Sequence, residues 1–164
     1  MPLRAQFHLQ LPDIPLTDPA RAAQVAEQVF LPAVEEATLL AQREIVVNTP
    51  VGATAVLRGS IQQAVEVIRG TPVQFHGTVE TAQPYALAVE EGTRPHWAPI
   101  GPLKLWARRV LGDEDAAYAV RAAIARRGTR GQRFFGRGVE TASPRILAIL
   151  RRAGEAFAAG LRRR

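Results

Sequence analysis

Apolar and polar positions alternate first over "FHLQL" (7–11), where Phe7, Leu9 and Leu11 are separated by His8 and Gln10. That period of two predicts a short strand. "TDPARAAQ" then carries the signals of a helix start, with Thr17 or Asp18 as cap and Pro19 in the first turn. Ala22, Val25, Val29, Ala33, Ala37 and Leu40 repeat at helical spacing, predicting a long helix over about 18–47. Pro32 removes one hydrogen bond and crowds the carbonyl of Gln28, so a kink or a division into two helices is expected there.

"VGATAVLRGS" (51–60) has no clear period and reads as a loop. Three strand candidates occupy about 61–91: "SIQQAVEVI", "VQFHGTVE" and "PYALAVEE", the last with Tyr85, Leu87 and Val89 on one side. The short connections RGTP and TAQP favour an antiparallel meander, whose apolar face the long helix has the stripe to cover. From about 102 to 161 the period becomes helical. "GPLKLWARRVLG" directs Leu103, Trp106 and Val110 inward and stops at Gly112. "DEDAAYAVRAAIARRG" has acids at its start and arginines at its end, matching the helix dipole. "SPRILAILRRAGEAFAAGL" opens on Ser143 as cap and runs Ile146, Leu150, Ala153 and Phe157 down one side, after the separating loop "GTRGQRFFGRG". The fold class is therefore α+β: an antiparallel sheet of three to four strands covered by a long N-terminal helix, with C-terminal helices, in a single domain over 1–164.

Composition narrows the class further. A chain of 164 residues buries roughly 70% of its unfolded surface as one domain. The absence of cysteine excludes disulfides and thiolate metal sites. "MPLRAQFHLQLPDIP" lacks the continuous apolar core of a signal peptide, and no run approaches a membrane span, so assembly in a cytoplasm and no membrane partner are expected. Charge is the sharper feature. Residues 1–92 carry five arginines against ten acids, a balance of −5, whereas 93–164 carry fifteen arginines and Lys104 against five acids, a balance of +11. Guanidinium forks suit carboxylates and phosphates, so the second half is expected to meet an acidic protein surface or nucleic acid, although arginine-rich solubility is the simpler alternative.

No catalytic constellation emerges. Ser60 and Ser143 lie in no nucleophile elbow, and His8, His76 and His96 have no metal-ligand spacing. In "EEGTRPHW" (90–97), Glu90 and Glu91 would diverge on a strand, which separates their carboxylates. No enzyme activity and no cofactor are expected. "RRGTRGQRFFGRG" interleaves arginines with aromatics in the manner of single-strand binders, yet Phe134 and Phe135 serve equally as core anchors. A basic nucleic-acid-binding module is thus one reading of the arginine-rich half.

Taken in order, "NTPVGATAVLRGSI", "PYALAVEEGTRPHWAPI", "LKLWARR" and "AIARRGTRGQRFFGRGVE" resemble the neck or tail-component family of long-tailed bacteriophages, the gene-product-ten type of lambdoid phages. The resemblance spans about residues 48–142 and, by element order, the first helix. The chain departs from the family pattern at Gly52, where aspartate is usual, and in "RFFGRG", which lacks the family's prolines. The resemblance implies a virion structural protein forming a ring, six-fold like the tail, among neck and tail proteins, with genomic DNA passing through without sequence-specific contact. With this as the leading expectation, the nucleic-acid-binding module is the alternative. The candidates for subunit or partner contact are Glu90, Glu91, Arg94, His96, Trp97, Arg108, Arg109, Arg130, Arg133, Phe134 and Phe135. Trp97 is expected to be a packing anchor, in the core or against a neighbour. Gly92 is expected to let the chain leave the sheet, with Pro95 and Pro99 stiffening the loop beyond.

Overall fold

One central strand organises the sheet. In the computed structural model, which describes residues 2–10, 19–52, 54–70 and 72–162, β3 (Gln74–Thr81) lies between β1 (Leu3–Gln10) and β2 (Gln62–Ile68), antiparallel to both. Alternation along β3 buries Phe75, Gly77, Val79 and Thr81. The cross-strand rows then place Phe7 opposite Gly77 and Leu9 opposite Phe75 on the same face. The other face is polar; there His8 and His76 stack with ring centroids 4.4 Å apart.

The 30-residue helix α1 (Pro19–Asn48) covers the apolar face. Its buried positions Ala22, Ala26, Phe30, Val34, Ala37, Ala41 and Ile45 keep steps of three or four residues, the stripe that faces a core. Thr38 is also buried there and donates its hydroxyl to the Val34 carbonyl at 2.6 Å, so the hydroxyl is not left unpaired. Gly77 makes this packing possible, since a Cβ there would overlap the Phe7 ring and the Thr38 hydroxyl. Pro32 does not divide the helix. It sits on the exposed side while Phe30 and Val34 are held in the core, so packing outweighs one lost backbone bond. The expected cap at Thr17 or Asp18 and strand residue Leu11 fall outside the described residues.

The second long helix, α6 (Phe134–Arg162), runs antiparallel to α1: Gly138 lies against Ile45, and Gly160 against Val25. Phe30 links the layers, with ring centroids 5.8 Å from Phe75 and 5.3 Å from Phe157. Two buried clusters result, one around Phe30, Val34, Phe75 and Phe157, the other around Ile45, Leu57, Val79, Phe134 and Phe135.

Several expectations are corrected. The segment read as a third strand of a meander is instead helix α3 (Ala86–Glu91), and β1 fills the vacant place in the sheet. Here "ALAVEE" follows its helical propensity, burying Ala86 while Leu87 is exposed. α6 begins nine residues before Ser143, whose hydroxyl bonds the Val139 carbonyl in mid-helix at 2.7 Å rather than capping. Its glycines signal a loop in isolation, but the core contacts of Phe134, Phe135 and Gly138 outweigh that local preference. The 51–60 loop holds one helical turn, α2 (Val56–Gly59). In α4 (Ile100–Val110), Ala107 is the buried position and Val110 is exposed, contrary to its expected inward direction. α5 (Ala116–Arg127) completes the helices, and α4 and α5 pack mainly on each other.

Candidate subunit interface

Three glycines close backbone onto backbone where α3 ends. Gly92 terminates α3 with φ +85°, and Gly128 terminates α5 with φ +71°, both in the region that favours glycine. Between them β4 (Gly92–Thr93) pairs with β5 (Thr129–Arg130), Gly92 opposite Arg130 and Thr93 opposite Thr129. A Cβ on Gly92 would strike the Thr129 carbonyl, one on Gly128 the Thr93 carbonyl, and one on Gly131 would come 2.6 Å from the Glu90 carbonyl. The Thr93 and Thr129 hydroxyls lie 3.0 Å apart, and the Thr93 hydroxyl accepts the Thr129 N–H at 3.1 Å.

This clasp leads directly into α6. Gln132 N–H donates to the Val89 carbonyl at 2.8 Å, and Arg133 N–H to the Glu90 carbonyl at 3.0 Å. The Glu90 carboxylate then accepts the N–H groups of Phe135 at 2.8 Å and Gly136 at 3.0 Å. It thus caps two otherwise orphaned donors and places negative charge at the positive end of the helix dipole. Glu91, its neighbour, is exposed. Both residues stand at the end of helix α3 rather than on the alternating strand expected.

The segment after β4 runs back along α5. His96 N–H donates to the Ile124 carbonyl at 3.4 Å, and the His96 ring sits 2.9 Å from the Arg94 carbonyl through Nδ1. One step further, the guanidinium carbon of Arg121 lies 5.1 Å from the centre of the Trp97 ring. Trp97 therefore makes a cation–π contact while 69% exposed. The Arg94 backbone sits beside Gly128, which Arg127 precedes and the β5 residue Arg130 soon follows, and Arg94, Trp97, Arg127 and Arg130 are each exposed.

The remaining candidates are distributed. Arg108 and Arg109 are exposed at the far end of the α4–α5 pair, where Arg108 lies 3.5 Å from Glu114. Beside them Lys104 is 3.4 Å from Glu114, and Tyr118 first, then Glu114, hold its ammonium protonated above the ordinary lysine range. Arg133 pairs with Glu140 at 2.7 Å. Phe134 and Phe135 are 0% and 5% exposed, so these two belong to the core and present no side-chain surface to a partner. Of the eleven candidates, then, Arg94, His96, Trp97 and Arg130 come together, while Glu90, Phe134 and Phe135 turn inward.

Other surfaces escape sequence inspection. The outer side of α1 exposes Glu35, Glu36, Leu39, Arg43 and Val47, and an open apolar groove of about 490 Å³ lies between Val51, Val56, Tyr85, Trp106 and Val110. The 3.6-residue period does place Glu36, Leu39 and Arg43 on one side of α1, but only burial distinguishes an outward leucine from a core one. Among the described residues no group of three His, Cys, Asp or Glu is placed to hold a metal ion, and no helix is long and apolar enough to cross a membrane. Compared with protein-family models, curated proteins and solved structures, the chain gives no match.

Proposed function

We propose that this chain is a structural protein of a tailed bacteriophage virion, forming a ring in the neck that completes the tail or joins it to the head while DNA passes through. The observation that carries this proposal is Trp97, a large aromatic side chain 69% exposed yet held by Arg121 on a glycine-locked corner. An exposed tryptophan stacked by an arginine has the anatomy of a protein-contact hot spot. The ordered sequence segments that resemble the phage neck family supply the biological setting, and the α+β fold with its long first helix agrees with that setting.

Negative-stain microscopy of the particle encoding the chain, with its gene intact and disrupted, tests the proposal. The expected result is a ring at the head–tail junction, and separated heads and tails when the gene is lost. Normal joints in the disrupted particle would overturn it. One observation favours a second function, a basic nucleic-acid-binding module: the Trp97–Arg121 stack among exposed arginines also suits a base and its phosphates. Titration with duplex and single-stranded oligonucleotides separates the two, because nucleic-acid binding falls steeply with salt.

A further inference from the structure

The arginine corner has a counterpart on the same chain. Arg94, Arg127 and Arg130 form no ion pair with any described acid, and neither Glu35 nor Glu36 on α1 pairs with any described base. Each set has an exposed large apolar side chain nearby in the chain: Trp97 at 69%, three residues beyond Arg94, and Leu39 at 52%, one turn beyond Glu35 and Glu36 and one turn before Arg43. Within one subunit no ion pair joins the two sets among the described residues. Ile45 packs against Gly138 near the start of α6, the end of the molecule that holds the clasp, whereas Glu36 lies roughly 14 Å back along α1 by helical rise. Glu36 also faces outward.

We infer that the Arg94–Trp97–Arg127–Arg130 corner docks on the Glu35–Glu36–Leu39 face of α1 in a second copy of this chain. The match is one of anatomy and sign. An apolar side chain on each side is excluded from water, and the arginines of the corner meet the Glu35 and Glu36 carboxylates, which fixes orientation and partner. Because the two surfaces differ, the contact is head-to-tail, so each copy offers a free corner to the next and a free α1 face to the one before. Repetition closes a ring or extends a filament, according to the rotation per step. The inference deepens the proposed neck ring and rests on it for biological setting, but the contact itself is testable on the purified chain.

Charge exchange provides the test. The variants are R127E/R130E, E35R/E36R and all four together, measured by light scattering and sedimentation over a concentration series at fixed salt. All four positions are exposed and have no ion partner among the described residues, so folding is expected to persist by circular dichroism; if a reversal unfolds, R127A/R130A and E35Q/E36Q replace it. Wild type is expected to assemble, each reversal to weaken assembly at least tenfold, and the fourfold variant to return within about threefold of wild type, because the signs match again. Trp97→Ala and Leu39→Ala are expected to be non-additive in the same assay. A monomeric wild type, reversals without effect, or a fourfold variant that stays apart would each overturn the inference. If R127E/R130E abolishes binding of a duplex oligonucleotide but leaves assembly unchanged, the corner belongs to nucleic acid instead. A ring seen at the head–tail junction alongside failed rescue would sink this contact while leaving the neck function standing.

Discussion

Glu90 and Glu91 are adjacent and chemically identical, yet the structure assigns them different weight. Glu90 accepts the Phe135 and Gly136 N–H groups at 2.8 and 3.0 Å, whereas Glu91 is exposed. Replacing Glu90 with alanine strands both donors at the start of α6, and Phe135 is only 5% exposed, so its N–H has limited access to water. A lost helix cap costs about 0.5–2 kcal/mol, and hydrogen bonds to a charged acceptor contribute about 1.5–3 kcal/mol. Glu90 is half-buried beside an open cleft, and water replaces part of what is lost, which sets the expected cost near 2 kcal/mol. At roughly 2–4 °C per kcal/mol for a chain of this size, Tm falls by about 4–8 °C. Glu90→Gln keeps one acceptor oxygen and loses about half as much, and Glu91→Ala stays within about 0.5 kcal/mol of wild type. Urea titration followed by circular dichroism measures all three. Equal losses for Glu90→Ala and Glu91→Ala would refute the capping role.

Two glycines of α6 are expected to respond in opposite directions. Gly138→Ala puts a Cβ 2.5 Å from the Ile45 Cα and 2.7 Å from its backbone nitrogen, so the helices must part, at a cost of about 1–3 kcal/mol. Gly154→Ala meets nothing within 4 Å and gains up to about 1 kcal/mol from helix propensity. Urea midpoints that move in the same direction would contradict the close α1–α6 crossing. Gly128→Ala combines φ +71° with a backbone collision at Thr93. It is expected to open the clasp, raising amide exchange at Thr129 and Gln132 well before α1 is affected, and unchanged protection there would contradict the lock.

The elements that were legible in the sequence are those whose pattern is long or repeated. α1 shows its stripe over many turns, and β3 alternates buried and half-buried positions from Gln74 to Thr81. Residues 85–91 were not legible because three alternating apolar positions cannot outvote helix-forming Ala, Leu and Glu. The start of α6 was hidden by glycines whose smallness suits a helix crossing, a long-range fact about Ile45 that no local window contains. Trp97 stood out by residue type, but its contact with Arg121 depends on how α5 packs, which no local window contains. Glu35 and Glu36 carry no signal in the sequence, and acquire meaning only beside arginines that pair with no described acid.

That corner also bears on DNA passage. Each phosphate neutralised by a protein cation releases counterions, so affinity climbs steeply with their number; six to ten such contacts change it by about 10³–10⁵ between moderately different salt concentrations. A proposed ring with Arg94, Arg127 and Arg130 of every copy facing its channel would hold the genome rather than conduct it. Carboxylates of a neighbouring copy remove that difficulty, because arginines consumed at subunit contacts are not available to phosphate. The proposed contacts would give a role to the concentration of opposite charge in the two halves of the chain. Mixed charges find partners within the subunit, as Arg133 does with Glu140, and leave nothing for a neighbour. Some pairs do form between the halves within the subunit, as Arg145 does with Glu44. Arg94, Arg127 and Arg130, however, pair with no described acid, so in the proposed ring one set of arginines would serve both assembly and insulation of the channel.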